Sequence, residues 1–298
     1  MTKPSASRCS WTWIEDEVMP TTSARIGVLD RGFLYGDSIF ETLLARKLQP
    51  IFLDDHLQRL RDGAGRLRLP LEYDDESLRG FIDELLTHHP PEQDVVIRIT
   101  LTRGDRIDGE IGISSSIPRL VVMSTTLDSS TDSCSTGIEL LVANRRKIPP
   151  ACLDPNVKSG NYLASILARS EAQLSGAEDA ILLSLDGIVT EATSANLFWI
   201  ADGTVYTCSD DLVLPGITRK KVLWLLEDGE IDFETGHYPL EHLLAADEAF
   251  LTGSICGVAP IGSLQQRLLR SPQERSWSRR LQQRYEDLVV AEISGRVR

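Results

Sequence analysis

The chain has 298 residues, of which 42% are hydrophobic and 25% are charged, and its formal net charge is -13. These proportions are typical of a folded globular protein, and the length suits one large or two ordinary domains. The excess of negative charge repels phosphate backbones, so we expect no nucleic acid partner. The sequence contains no run of about 18 apolar residues, which predicts that it has no transmembrane helix and no membrane partner.

The N-terminal stretch and the cysteines bear on the cellular compartment. Residues 1–17, MTKPSASRCSWTWIEDE, lack the apolar core of a signal peptide. The five cysteines are scattered and odd in number, and no pair has CxxC spacing. We therefore expect reduced thiols in a cytoplasmic protein. His88 and His89 are adjacent in sequence and converge on one ion less readily than an i,i+4 pair, so no metal site is expected.

In chain order, the first predicted elements precede a low-complexity stretch. Short apolar runs alternate with turns and predict strands at residues 26–28, 38–45 and 49–53. A helix follows, because an apolar stripe recurs at helical spacing at Leu57, Leu60, Ala64 and Leu67. Its predicted N-cap is Asp54 or Asp55. A second helix is predicted over residues 75–88, and the segments DVVIRITLTRG and PRLVVMSTTL are predicted strands.

The low-complexity stretch divides the chain. Residues 125–137, TTLDSSTDSCSTG, are rich in Ser, Thr and Asp and offer almost nothing to bury, which is typical of a linker. We therefore predict a small N-terminal α/β domain over residues 1–127, a linker over 128–137 and a larger C-terminal domain over 138–298.

The second domain is predicted to be rich in strands, with flanking helices. It begins with a strand, GIELLVANRR, and a helix over residues 160–174 that carries Leu163, Ile166, Leu167 and Leu174 on one side. Two Asp-Gly pairs, at 186–187 and 202–203, lie between apolar runs and predict β-hairpins. The segment LPGITRKKVLWLLED is a turn into a helix, and DEAFLTGSICGVAPIGSL is a strand interrupted by glycines. The tail from residue 271 again has helical spacing.

Lys158 is the first candidate for chemistry, because lysine is rare here and this one lies between a turn and a helix. An amine held there beside apolar side chains loses its charge more readily, as an imine-forming lysine requires. The alternative is a surface lysine near a helix start, where a cation opposes the helix dipole.

Glu191 is the second candidate, since it lies in GIVTEATSANLFWI, a stretch with no other charge. A carboxylate there is either on a solvated strand face or directed at a cationic partner, such as a protonated pyridine nitrogen.

Three features could hold a phosphate. The Pro-Gly turn in LPGITRKK leaves the amides of Ile217 and Thr218 at a helix N-terminus, which is an anion site. Ser254 follows a glycine in LTGSICG, and Arg59 lies on the first amphipathic helix, where its guanidinium suits bidentate contact with phosphate. Neither GxxxxGKS nor GxGxxG occurs, so a nucleotide loop is not supported, and no GxSxG nucleophile motif is present.

Six segments, in order, resemble the class IV aminotransferases, the fold-type IV enzymes that use pyridoxal phosphate. They are DRGFLYGDSIFET, LDDHLQRL, VKSGNYLASILARSEA, EATSANLFWI, LPGITR and LTGSICGVAPI. The resemblance implies a two-domain α/β fold with pyridoxal 5'-phosphate in the cleft between the domains. It also implies a homodimer. The sequence adds a patch that could form the interface between two copies and place Tyr35 near a substrate pocket, because DRGFLYGDSIF brings together Phe33, Leu34, Tyr35, Ile39 and Phe40. The alternative is that these residues fill the core of the small domain.

The resemblance assigns roles to the candidates. Lys158 falls on the lysine that binds the cofactor as an imine, and Glu191 on the glutamate that pairs with the pyridine nitrogen. The phosphate contacts fall on Arg59, Ile217, Thr218 and Ser254. Arginine could not replace Lys158, because its guanidinium stays charged and forms no imine.

Departures within the family bear on the reaction. Asn161 and Tyr162 follow Lys158 at a spacing similar to that of D-amino-acid aminotransferases and 4-amino-4-deoxychorismate lyases. Gly253 instead resembles branched-chain aminotransferases. Three arginines are candidates for binding a substrate carboxylate: Arg98, Arg103 and Arg106. We expect amino transfer between an amino acid and a 2-oxo acid. The alternatives are a lyase that releases pyruvate and 4-aminobenzoate from aminodeoxychorismate, and a family member that binds the cofactor without turnover.

Overall fold

The computed structural model describes residues 9–105, 112–113, 117–127, 137–274 and 276–295. The chain forms two compact units, one of residues 1–130 and 157–161 and the other of residues 131–156 and 162–298. Both units combine a sheet with helices, which confirms the predicted α/β class. The predicted linker lies outside the described residues except for Gly137, and Arg106 also lies outside them.

The first unit is built on a six-stranded antiparallel sheet of order β2-β1-β6-β5-β3-β4. Its strands are β1 (Ser10–Ile14), β2 (Glu17–Pro20), β3 (Ser38–Arg46), β4 (Gln49–Pro50), β5 (Val95–Thr102) and β6 (Arg119–Thr126). Its helices are α1 (Arg31–Tyr35), α2 (Leu53–Arg66) and α3 (Asp75–Leu86).

The core of this unit follows from two periodicities. Alternate residues of β5 are buried, as expected of a strand with one covered face, and they include Ile97 and Ile99. The apolar stripes of α2 and α3 cover that face through Leu57, Leu60, Leu78, Ile82 and Leu85, which are fully buried or nearly so. The predicted stripe of α2 is thus confirmed.

Three local predictions in this unit are wrong. Residues 26–28 form no strand, and the nearby regular element is α1, because the Asp30 side chain accepts hydrogen bonds from the Gly32 and Phe33 amides and caps that helix. The strand predicted over 49–53 is only β4, since Leu53 already belongs to α2. The N-cap of α2 is Phe52, so Asp54 and Asp55 lie in its first turn, where acidic side chains favour the helix dipole.

The second unit is built on a nine-stranded sheet of order β12-β11-β10-β13-β14-β7-β8-β9, with β15 paired to β14. The path closes on itself because β9 pairs with both β8 and β10. Its strands are β7 (Ile138–Arg146), β8 (Asp179–Leu183), β9 (Val189–Ala192), β10 (Asn196–Ala201), β11 (Thr204–Cys208), β12 (Phe233–Gly236), β13 (Glu248–Gly253), β14 (Gly257–Leu264) and β15 (Arg267–Leu268). Its helices are α4 (Leu163–Leu174), α5 (Ile217–Asp228), α6 (Leu240–Leu244) and α7 (Trp277–Ile293).

Both predicted Asp-Gly hairpins are confirmed, as β8–β9 and β10–β11. In the second turn Asp202 and Gly203 both have positive φ, 49° and 84°, as a tight two-residue hairpin turn requires. The strand interrupted by glycines consists of two strands, β13 and β14, joined by a turn. The predicted helices are present as α4, α5 and α7, but the side of α4 that is buried carries Ala168 and Ala172, and its leucine and isoleucine side chains are exposed.

Candidate active site

Lys158 is held by its backbone against β3. The Phe40 amide donates to the Lys158 carbonyl (2.9 Å), and the Gly160 amide donates to the Ser38 carbonyl (2.8 Å). Val157, just before the lysine, is buried in the core of the first unit. Glycine is needed at position 160, because a Cβ there would collide with the Ser38 hydroxyl. The segment 157–161 therefore packs as part of the first unit, although it lies within the range predicted for the second domain.

The side chains of Lys158 and Arg98 meet at one aromatic ring. Lys158 Nζ lies 4.7 Å from the centroid of the Phe40 ring, and Arg98 Cζ lies 3.7 Å from the same centroid. Phe40 is buried, so its ring gives both cations a fixed, poorly hydrated support. Arg98 comes from β5, which pairs with the β3 strand that carries Phe40. The structure thus places an amine and a guanidinium at the same buried aromatic ring.

Arg59 is oriented by a buried carboxylate that the sequence analysis missed. Arg59 Nε donates to Glu41 Oε1 (2.8 Å) and its Nη2 donates to Glu41 Oε2 (2.7 Å), while His56 Nδ1 donates to Oε2 as well (2.7 Å). Burial by itself would raise the pKa of Glu41, but the charge and hydrogen bonds of Arg59, followed by those of His56, lower it to about 2. Burial, together with the charges of Arg59 and Lys158, keeps the pKa of His56 below its usual value despite Glu41. The signal in the sequence was a single charge inside the apolar run SIFETLLA.

Arg103 is an internal cation of the first unit. Its Nε donates to Asp37 (2.8 Å), and its two terminal nitrogens donate to the backbone carbonyls of Arg68 and Leu67. Arg31 donates to the same oxygen of Asp37. Partial burial would raise the pKa of Asp37, but the bonds and charges of the two arginines lower it. These contacts fix the segment that contains α1, where Tyr35 is 37% exposed.

In the second unit, Glu191 lies in β9, is largely buried and has three donors among the described residues. Its Oε1 forms an ion pair with the ammonium group of Lys147. Its Oε2 accepts from Asn196 Nδ2 (2.8 Å) and from the Leu214 amide (3.2 Å). The interpretation of Glu191 as a solvated strand residue therefore does not apply. Two donors contact its Oε2 and one donor contacts its Oε1.

Asn196 joins Glu191 to the start of α5. Its Nδ2 also donates to the Leu214 carbonyl (2.8 Å), and a Cβ at Gly216 would collide with its Oδ1. Gly216 is the N-cap of α5. Because glycine has no side chain, the cap residue accepts no hydrogen bond from the first amides of that helix. Ile217 and Thr218 begin α5 and are buried. The predicted phosphate site and the predicted carboxylate are thus adjacent in the second unit.

The remaining predicted residues, Gly253 and Ser254, lie at the end of β13 and just after it. Thr252 in β13 is directly opposite Asn196, and its buried Oγ1 has no hydrogen-bond partner among the described residues. Gly253 ends the strand, and a Cβ there would lie 3.1 Å from Cys256 Sγ. Ser254 follows in the turn to β14 and is partly exposed. This edge therefore adds hydroxyl groups near Asn196.

Each unit thus carries one coherent set of groups. The first has an amine and two arginines around Phe40 and Glu41, and the second has a carboxylate, helix amides and hydroxyls. Sequence reasoning missed the residues that orient these groups, namely Glu41, His56, Lys147 and Asn196. In the described part of the chain, no cluster of side chains suits a metal ion. The helices described there include none long and apolar enough to cross a bilayer.

Comparison with known proteins places this arrangement in a family. The family model of amino-transferase class IV matches residues 38–264. The chain is 31% identical to branched-chain-amino-acid aminotransferase-like protein 2 of Arabidopsis thaliana over 93% of its own length and 50% of that protein. The chain therefore spans about half the length of that curated relative.

Solved structures agree. The T.th. branched-chain amino acid aminotransferase, complexed with N-(5'-phosphopyridoxyl)-L-glutamate, has a TM-score of 0.85 and 25% identity, covering 96% of this chain and 94% of that one. The 4-amino-4-deoxychorismate lyase of Pseudomonas aeruginosa has a TM-score of 0.79 and 27% identity, covering 93% and 98%. From the extent of the family match and the similarity to these proteins, the chain belongs to the class IV aminotransferase family, with its fold-type IV architecture.

Proposed function

We propose that the protein is a pyridoxal-phosphate-dependent aminotransferase that moves an amino group between an amino acid and a 2-oxo acid. The observation that carries this proposal is the approach of Lys158 Nζ and Arg98 to the same Phe40 ring. An amino acid presents its amino group and its carboxylate about one carbon apart, so a base and a guanidinium must lie close together to act on it.

The groups present fit the cofactor that the family implies. Pyridoxal phosphate needs an amine for its aldehyde, an anion for its ring nitrogen and a set of donors for its phosphate. Lys158 provides the amine and Glu191 the anion. The phosphate donors would be Arg59, the first amides of α5 and Ser254. The buried, unpartnered Oγ1 of Thr252 beside Asn196 is a further polar atom that the described residues leave for a ligand.

When bound, the cofactor supplies an aldehyde that takes up the amino group and a ring that accepts electrons. The protein supplies orientation and proton transfer. Lys158 Nζ would take the proton from the α carbon of the amino acid as general base and pass it, as general acid, to the carbon that was the aldehyde carbon, as amino transfer requires. Arg98 would hold the substrate carboxylate, and Glu191 would keep a proton on the ring nitrogen of the cofactor. Arg103 is left out of the substrate contacts, since Asp37 and two carbonyls already engage its guanidinium.

We also propose that the active form is a homodimer. Phe33 is 73% exposed in α1, next to Leu34 and Tyr35, and Val28 and Leu29 just before the helix are 73% and 55% exposed. Neighbouring apolar side chains of this size mark an interaction surface. A two-fold interface would bury them in both copies at once. Ile39 and Phe40, which the sequence grouped with this patch, lie in the core instead.

A lyase acting on aminodeoxychorismate is the second candidate. It is supported by the similarity to the Pseudomonas aeruginosa lyase and by the spacing of Asn161 and Tyr162 after Lys158. The two reactions share the lysine and the cofactor but differ in product. An assay of L-leucine, D-alanine and aminodeoxychorismate side by side separates them, because only the lyase releases pyruvate from the third substrate without a 2-oxo acid acceptor.

The test of the proposal is covalent capture at Lys158. Borohydride reduction of the protein loaded with pyridoxal phosphate should attach the cofactor to the peptide that contains Lys158. Lys158→Ala should lose the visible absorbance of the bound cofactor and nearly all amino transfer. The exposed Lys47→Ala is the matched control and should keep both. Label on Lys147 or Lys220, or full activity in Lys158→Ala, would overturn the assignment.

A further inference from the structure

Lys147 is the last residue of the basic run 145–147. The sheet of the second unit positions it so that its side chain contacts the carboxylate of Glu191. Lys147 directly follows β7, and its amide donates to the Leu183 carbonyl at the end of β8 (2.9 Å). From there its ammonium group pairs with Glu191 in β9. The two side chains are only 19% and 11% exposed. Because solvent screens such a pair weakly, it is a stronger contact than an ordinary surface ion pair.

Neighbouring basic residues do not make this contact. Arg146 donates to the carbonyls of Ala143 and Asn144, within its own segment, and Arg145 is exposed. The run Arg145-Arg146-Lys147 therefore contains two residues on the surface and one that is directed to Glu191. If the run were simply a solvated basic segment, all three side chains would extend into solvent.

The number of acceptor positions on Glu191 limits what else can bind it. An ionised carboxylate accepts about four hydrogen bonds. Asn196 Nδ2 and the Leu214 amide use Oε2, and Lys147 uses one position on Oε1. With the donors found among the described residues, about one position remains, and it is on Oε1, the oxygen that Lys147 contacts. A further donor would share that oxygen with Lys147.

We propose that Lys147 is a positioning residue, whose ammonium group holds the Glu191 carboxylate in a single orientation in which Glu191 would accept the protonated ring nitrogen of the cofactor. This inference rests on the proposed function. Without Lys147, the largely buried carboxylate keeps two neutral donors among the described residues. The nearby Cys208 thiol adds no charge, because burial and the charge of Glu191 raise its pKa to about 12. Such a carboxylate takes up a proton more readily, and a protonated carboxyl group no longer favours a cationic partner.

The test measures cofactor binding rather than turnover. Full-length protein freed of cofactor is titrated with pyridoxal phosphate at pH 6, 7.5 and 9, and the dissociation constant is obtained from tryptophan quenching. The variants are Lys147→Met, Lys147→Arg, Glu191→Gln and the double variant Lys147→Met/Glu191→Gln. Lys47→Met, on the exposed β3–β4 turn, is the matched control. Each constant is divided by the wild-type value at the same pH, so that pH effects common to all variants cancel.

We expect Lys147→Met to bind pyridoxal phosphate about tenfold more weakly than wild type, the size of one lost charge-assisted hydrogen bond, with the largest loss at pH 6 and the smallest at pH 9. Lys147→Arg should restore binding at every pH, because it keeps the charge. Lys147→Met should have no further effect when Glu191 is already Gln, since it acts through that residue. Lys147→Gln replaces Lys147→Met if circular dichroism shows the latter to be unfolded.

Two results would overturn the inference: wild-type binding at pH 6 by the folded neutral variant of Lys147, or an equal loss in the presence and absence of the Glu191 carboxylate. Failure of the wild-type protein to bind pyridoxal phosphate at all would instead overturn the proposed function.

Discussion

Glu41 offers a direct test of how the first unit holds Arg59. Replacing Glu41 with Gln removes the carboxylate that receives two hydrogen bonds from Arg59 and one from His56. The side chain is 1% exposed, so water cannot take its place. The variant leaves Arg59 as a buried cation without this counter-charge.

The magnitude follows from the lowered pKa of Glu41. Burial raises this pKa, but Arg59 and His56 reverse the effect and lower it from 4.5 to about 2. A difference of one in pKa corresponds to about 1.4 kcal/mol, so ionised Glu41 contributes about 3 kcal/mol to the free energy of unfolding at pH 7. Breaking a buried pair costs about 3–5 kcal/mol in general, which agrees. Because the folded pKa is the lower one, the contribution is complete above the unfolded value of 4.5 and is lost as the pH falls toward 2.

The assay is urea unfolding of wild type and Glu41→Gln at several pH values, followed by tryptophan fluorescence, to which the buried Trp13 of the first unit contributes. We expect the variant to lose about 3 kcal/mol at pH 7 and the difference to fall to about half by pH 3. Glu84→Gln, at an exposed site on α3, is the control and should change stability by less than about 0.5 kcal/mol. An unchanged free energy of unfolding, or a difference independent of pH, would refute this account of the ion pair.

Two further predictions concern stability and assembly. Thr252→Val removes the buried hydroxyl that has no partner among the described residues, so it should raise the free energy of unfolding of the cofactor-free protein by about 1 kcal/mol in urea titration; a loss of stability would reveal a partner for that hydroxyl. Phe33→Asp should shift light scattering from about twice 33.1 kDa toward the monomer and reduce activity in parallel, whereas Leu268→Asp, at another exposed apolar site, should do neither. A fully active monomer would contradict the proposed dimer.

The sequence by itself determined the elements with strong local signals. The strand β5, the apolar stripe of α2 and the Asp-Gly turn at 202–203 depend on residues close together in the chain, and each is present as predicted. Lys158 and Glu191 were also singled out locally, the first by its place before a helix and the second as a lone charge in an apolar stretch. Local signals failed where a helix cap decided the outcome, as with Asp30 and the short helix α1.

Only the tertiary structure decided which partners these residues have. Glu191 and Lys147 are 44 positions apart, and Asp37 and Arg103 are 66 apart. Strand pairing brings such residues together, and no local pattern encodes which strands will pair. The same reason applies to Arg103, whose carboxylate and carbonyl partners become visible only once the first unit is folded. The sequence neighbours of an arginine indicate whether it lies in a strand or a loop. Which carboxylate pairs with it is decided by the tertiary fold.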